Sequence, residues 1–227
     1  MRINKVLGYF GMVLLCISLI ITVIDICSFN RSFYLDQYRK NNTSLATGMN
    51  EDDLMNATNT LLDYLQNKRD DIIVEANVNG NIREVYDQRE SLHMVDVKNL
   101  YLNVIHVRNL FLIIGSIALL LALYLTKDNK LSLLRNSFNT GIFSVFLFII
   151  TLLIYALADF NRFWTQFHLL FFSNDLWLLD PNVSLMINMF PEPFFYALVL
   201  KIILWILGIL VGIGFILNYP SLKRRSA

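Results

Sequence analysis

Four stretches of this chain, 6–28, 104–125, 141–158 and 195–217, are each apolar over close to the length of helix that a bilayer core requires. That length is about 20 residues, because a helix rises about 1.5 Å per residue and the hydrocarbon layer is roughly 30 Å thick. Inside lipid every backbone N–H and C=O needs an internal partner, which a long apolar run finds as a helix. Composition agrees: 56% of the residues are hydrophobic and 16% are charged, whereas soluble domains carry roughly 25% charged residues. The sequence therefore predicts an all-α integral membrane protein. Its four-helix transmembrane bundle carries a small extracellular α+β segment and an interfacial outer helix.

The first run follows Arg2 and Lys5, as a signal peptide would, but ends in "VIDICSFN" with no small-x-small cleavage site, so 1–28 reads as a retained span. Cys16 and Cys27 both fall in it, about 16 Å apart along one helix, too far for a disulfide and without metal-ligand spacing. Net charge is +1, so the balance points to no nucleic-acid partner. Lys and Arg set the expected orientation. Arg2 and Lys5 precede span one, Lys127, Lys130 and Arg135 lie between spans two and three, and Lys223, Arg224 and Arg225 follow span four. With four spans these clusters share one side, which is cytoplasmic by the positive-inside rule. Residues 29–103 and 159–194 are then outside.

Within the extracellular segment 29–91, residues of about 51–67 place Leu54, Thr58, Leu61 and Leu65 on one stripe behind Asn50, which suits a helix N-terminus. Residues of about 72–86 place Asn79-Gly80 between two β-capable arms, a hairpin signal. One long helix, capped by Ser91, is expected over 92–125 and includes span two; a cytoplasmic loop follows at 126–140. His93 and Asp96 share a face of that helix, while His106 points away. Span three, 141–158, leads into an outer stretch, 159–194. There Phe160, Phe163, Trp164, Phe167 and Phe171 form an apolar face opposite Asn161, Arg162, Thr165 and Gln166, the pattern of a helix lying in the interface plane. Span four, 195–217, ends in a cytoplasmic tail, 218–227.

Ionisable residues at the span ends, Asp25, Arg108, Asp159 and Lys201, all fall in the expected outer half, with Asp25 and Lys201 a candidate ion pair. That asymmetry points to a polar pocket opening outward and argues against a transporter, as does the lack of internal repeats. No G-x-S-x-G, H-E-x-x-H, C-x-x-C, P-loop or dinucleotide fingerprint is present. No activated nucleophile stands out, so acid–base chemistry without a covalent intermediate is the enzymatic reading.

Two blocks, "ESLHMVDVKNLY" after Tyr86 and "FHLLFFSNDLWLLDP" before the last span, resemble the bacterial lipoprotein intramolecular transacylases, four-span integral membrane proteins of Gram-positive bacteria. The resemblance implies a membrane acyltransferase acting on diacylglyceryl-modified lipoproteins. The sn-2 acyl chain would move to the α-amine of the N-terminal cysteine, giving a lyso-form N-acyl lipoprotein. It implies His93 and His168 as the catalytic residues; no metal ligands and no cofactor are assigned from the sequence, and a metal requirement stays open. Beside that pair, Asp96 is the candidate to orient His93, and Asn161, Arg162 or Asn174 to stabilise the oxyanion. Partners are then lipoproteins and membrane lipids, not nucleic acid, and the oligomeric state stays open. The location implied is the bacterial cytoplasmic membrane, with both termini cytoplasmic and the active site facing the outer leaflet. The chemistry suits histidine. An α-amine with a pKa of about 7.7–8.0 must lose a proton to attack, and the glyceryl oxygen must gain one. The alternative is a non-catalytic envelope sensor or assembly protein that uses the extracellular segment for contact.

Overall fold

The computed structural model describes residues 3–223, with the side chains of 144 and 220–223 excepted. Arg2, Arg224 and Arg225, which enter the orientation argument, lie outside the described residues. In chain order the elements are α1 (Ile3–Ser28), α2 (Arg31–Lys40), α3 (Thr43–Thr47), α4 (Glu51–Leu65), β1 (Glu75–Val78), β2 (Asn81–Glu84), α5 (Gln88–Tyr124), α6 (Lys130–Ala158), α7 (Phe160–Phe171), α8 (Leu185–Met189) and α9 (Glu192–Lys223). The chain divides into two compact units. The first comprises the described residues of Met1–Ile26, Ile105–Leu157 and Leu200–Ala227; the second comprises Cys27–Val104 and Ala158–Val199. The division cuts α1, α5 and α9 and falls before the last residue of α6, so the spanning stretch of α5 begins at about Val104 and its first turns belong to the second unit.

In the first unit, α1, α5, α6 and α9 are each long and apolar enough to cross a membrane. Their outward residues are apolar, with Leu120 66% and Phe143 70% exposed, as lipid-facing positions require. Contact between helices relies on small residues. A Cβ added to Gly11 would lie 2.8 Å from the Gly115 carbonyl oxygen and 2.8 Å from the Leu119 backbone nitrogen, so only glycine lets α1 and α5 approach this closely. Polar groups here are paired. Arg108 Nη1 donates to Asp25 Oδ2 at 2.9 Å, and Ser18 Oγ donates to the Arg108 carbonyl oxygen at 3.2 Å. Asp25 thus meets Arg108, a cation that can fork its hydrogen bonds.

The second unit has an ordinary core. Asn50 caps α4 by accepting the Asp53 N–H at 2.8 Å, and Leu54, Thr58 and Leu61 of its stripe are buried. Asn79 and Gly80 both take positive φ, 52° and 87°, the turn that joins twisted antiparallel strands, and Glu75 pairs with Glu84. Phe33, Tyr38, Leu54 and Val85 pack with Met189, Phe190 and Phe194, so residues 29–91 and 159–194 share one core.

Several boundaries differ from the sequence reading. The segment expected over 126–140 as loop becomes helix at Lys130, where Leu133 and Ser137 bury one turn apart and Phe138 buries beside Ser137. The helix α5 starts at Gln88, not 92, for a capping reason given below. The segment 29–91 also holds α2 and α3, and α8 interrupts 159–194; all three are short helices without a long apolar stripe, α2 and α8 capped by the Asn30 and Ser184 side chains. The last span continues from Glu192 to Lys223, with Pro193 tolerated in its first turn.

Candidate active site

Two imidazoles meet in the second unit. His93 stands in the second turn of α5 and His168 in the last turn of α7. Their ring centroids are 6.0 Å apart and their planes are inclined by 35°. They are 6% and 7% exposed, buried enough to disfavour the charged form of either ring.

Each ring is held by its own element. The first turn of α5 is a capping box: Asp87 Oδ1 accepts the Glu90 N–H at 2.8 Å, and Glu90 Oε2 accepts the Asp87 N–H at 2.7 Å. Asp87, not Ser91, is therefore the cap, and the helix enters one turn earlier than expected. On the other side, Asp159 caps α7 by accepting the Arg162 N–H at 2.9 Å. Trp164 stacks on Phe167 at 5.3 Å and on Phe195 at 4.2 Å, which anchors the helix by its apolar ridge. One turn further, His168 Nδ1–H donates to the Trp164 carbonyl oxygen at 2.8 Å. A carbonyl only accepts, so the neutral ring keeps its proton on Nδ1 and presents a lone pair at Nε2.

Aromatic rings enclose the pair. Phe172 meets His93 edge-on at 5.2 Å, and Trp177 stacks on His168 at 4.8 Å. Burial pushes the His93 imidazole down to about 4, the neighbouring His168 acts in the same direction, and Asp96 opposes both. Burial also holds His168 below its ordinary value, against the bond to the Trp164 carbonyl. Both rings are thus neutral near pH 7, the state in which one nitrogen accepts a proton and the other donates.

The remaining sequence-predicted residues are placed unequally. Asp96 Oδ2 accepts the Asn174 Nδ2–H at 2.8 Å, so these two bind each other beside the histidines. His93 Nδ1 is buried without a hydrogen-bond partner among the described residues, so Asp96 acts on this ring through charge and not through a bond to that nitrogen. Asn161 Nδ2 donates to Glu192 Oε2 at 3.4 Å and Arg162 is exposed; neither is brought to the imidazoles by a hydrogen bond. Sequence reading missed Phe172 and Trp177 as ring contacts, and it missed Glu90. Only the D-x-x-E spacing at 87–90 announced the last of these. Among the described residues no three His, Cys, Asp or Glu side chains converge as metal ligands.

Comparison with known proteins places this arrangement. No curated protein sequence matches the chain. Three solved structures share its fold, all of the membrane integral lipoprotein intramolecular transacylase Lit from Bacillus cereus. One is 21% identical, covers 100% of this chain and 98% of its own, and superposes with a TM-score of 0.76. A variant with one histidine changed to arginine is 22% identical over 98% of this chain and 94% of its own, with a TM-score of 0.76. A histidine-to-alanine variant is 22% identical over 100% and 96%, with a TM-score of 0.71. The family model of lipoprotein intramolecular transacylase Lit matches residues 9–195. That match spans both imidazoles, three of the four long helices and the second unit's core, and with so much of the chain inside it the protein belongs to the lipoprotein intramolecular transacylase family.

Proposed function

We propose that this transacylase moves the sn-2 acyl chain of a diacylglyceryl lipoprotein onto the α-amine of the same molecule's N-terminal cysteine, with His93 and His168 as its acid–base pair. The observation that carries the reading is the 6.0 Å approach of two buried imidazoles contributed by distant parts of the chain. His168, its tautomer fixed through Trp164, takes the amine proton at Nε2 as the nitrogen attacks the ester carbonyl. The attack makes the C–N bond and leaves a tetrahedral oxyanion. The proton passes from His168 to His93, and the collapse breaks the glyceryl C–O bond as the departing oxygen takes that proton from the His93 imidazolium. Both rings are then neutral again, and no water or cofactor is consumed. Amine and ester belong to one substrate, so holding them in attack geometry contributes most; well-oriented intramolecular reactions gain about 7–11 kcal/mol this way. Asp96 favours the transient imidazolium on His93 by its charge.

Cells producing His93→Gln or His168→Gln are expected to accumulate diacylated lipoprotein, with N-acyl lyso-form reduced about 100-fold or more in each. Mass spectrometry of lipoprotein N-termini reads this, and normal levels of the lyso form in both variants would remove the histidine mechanism.

The distribution of Lys and Arg supports termini in the cytoplasm and a site at the outer leaflet. A cysteine substituted for Lys127 is then expected to resist a membrane-impermeant maleimide added to intact cells. Labelling there would reverse the orientation.

A further inference from the structure

A carboxylate is costly to bury unless each oxygen finds donors. Glu90 is 1% exposed, and its capping role occupies only Oε2. The other oxygen, Oε1, reaches across the fold, accepting the Ser184 hydroxyl at 2.5 Å and the Met186 N–H at 2.9 Å. Ser184 is itself the cap of α8, where its Oγ accepts the Ile187 N–H at 3.2 Å. One buried side chain thus closes the first turn of α5 and fastens that turn to the segment entering α8.

What hangs on the two ends of this fastening is the imidazole pair. His93 follows Glu90 by three residues, one turn along the same helix face. The segment fastened to it, running from the end of α7 to α8, carries Trp177 stacked on His168. Arg89 donates to the Asp175 carbonyl oxygen, and Asn174 donates to Asp96, so the same segment meets α5 on either side of Glu90. Those flanking contacts are solvent-exposed. Glu90 is the buried one, and exposed polar ties hold geometry weakly.

We propose that Glu90 is a positioning residue for acyl transfer, acting through His93 by locking the first turn of α5 to Ser184 and Met186 so that the two imidazoles stay in register. The proposal rests on the histidine mechanism above. A side chain that only stabilised the fold would change the amount of folded enzyme; one that sets the spacing of reacting groups changes kcat in enzyme that is folded, and misplacement by about 1 Å is worth about 100-fold.

Four variants of the full chain, purified in detergent and given a synthetic diacylated lipopeptide, separate these roles, with kcat, KM and the unfolding midpoint measured for each. Glu90→Ala removes the bridge and the Glu90 half of the capping box and is expected to lower kcat about 100-fold with KM within about twofold. Ser184→Ala takes one donor from the bridge, together with the α8 cap, and leaves the α5 capping box, with an expected fall of about tenfold. Glu90→Gln keeps an Oε1 able to accept from both Ser184 and Met186, and is expected to recover to within about tenfold of the parent. Asp87→Ala weakens the cap alone; it is expected to lower the midpoint while kcat stays within about threefold. A Glu90→Ala enzyme within threefold of the parent kcat overturns the positioning role, as does a series in which kcat merely tracks the folded fraction or Asp87→Ala matches Ser184→Ala. If Glu90→Ala yields no folded protein, Ser184→Ala and Glu90→Gln decide by the same limits. His93→Gln is the control. Full activity in it overturns the histidine mechanism and this role together, whereas an inactive control beside an active Glu90→Ala overturns this role alone.

Discussion

The helix α5 runs under two opposite rules. Beyond Val104 its apolar side chains face outward, with Leu110, Ile113 and Ile117 all more than half exposed, and its buried positions are small, Ala118 and Ala122 among them. Before Val104 the same helix buries Glu90, His93 and Met94 and exposes Leu92 and Val95 in part. In the first region lipid is the outer solvent, so burial carries little hydrophobic gain and small residues are selected for close approach. In the second region burial follows the familiar aromatic-core pattern, and the buried Glu90 carboxylate enters with donors on both oxygens, whereas His93 Nδ1 enters without a hydrogen-bond partner among the described residues. The contrast teaches where to look for chemistry. A titratable group buried in the second region has been taken from water at a cost, and the fold surrounds it with enough structure to fix its proton state.

The pH dependence of stability tests that statement most strongly. His93 titrates near 6.5 in an unfolded chain and is pushed down to about 4 in the folded one. Between those values the unfolded chain binds a proton that the native chain refuses, so stability is intact above pH 6.5 and falls as the pH drops toward 4. At 1.36 kcal/mol per unit the whole window is worth on the order of 3 kcal/mol, a large part of the 5–15 kcal/mol typical of a domain. Unfolding midpoints of the parent and of His93→Gln, compared from pH 7.5 to 4.5 in detergent, are expected to diverge. The parent loses stability through the window and the variant, lacking the imidazole, loses less. Parallel curves would mean that His93 is solvated, and the two regions would then differ less than described.

The same contrast explains which features were legible in the sequence. The spans were, because lipid enforces one rule over twenty residues and composition alone satisfies it. Asn79-Gly80 and Asn50 were legible because a hairpin turn and a helix cap are decided within four residues. The residues around the histidines were not, for two reasons. Glu90 and Ser184 are far apart in sequence and form one unit only after folding, so no local pattern marks their contact; the same holds for Trp177 over His168. Ser91 also offered a plausible cap one turn later, and nothing local says that the D-x-x-E pair at 87–90 prevails. In the third span, the polar residues between Lys130 and Gly141 hid helix that Leu133 and Phe138 in fact hold in place. What the resemblance supplied was the pairing of His93 with His168, which spacing could not.

A smaller effect, in the other region, sharpens the comparison from its lipid side. If the first unit is held by close backbone approach, adding one methyl group at the α1–α5 crossing should cost more than the same change does on an open helix face. Gly11→Ala is the test, because its Cβ would sit 2.8 Å from two backbone atoms of α5, and backbone cannot rotate out of the way as a side-chain tip can. In a soluble helix the substitution stabilises by about 1 kcal/mol, since alanine is the better helix former. Here overpacking, typically 1–3 kcal/mol, opposes that gain and is the larger quantity. Gly208→Ala supplies the reference within the same unit, because nothing lies within 4 Å of the Cβ it would acquire. Gly11→Ala should therefore lower the unfolding midpoint in detergent while Gly208→Ala leaves it unchanged or raises it. Equal behaviour of the two would show that α1 and α5 separate freely, and that the first unit is held by its polar pairs, Asp25 with Arg108 above all, and not by the packing of small residues.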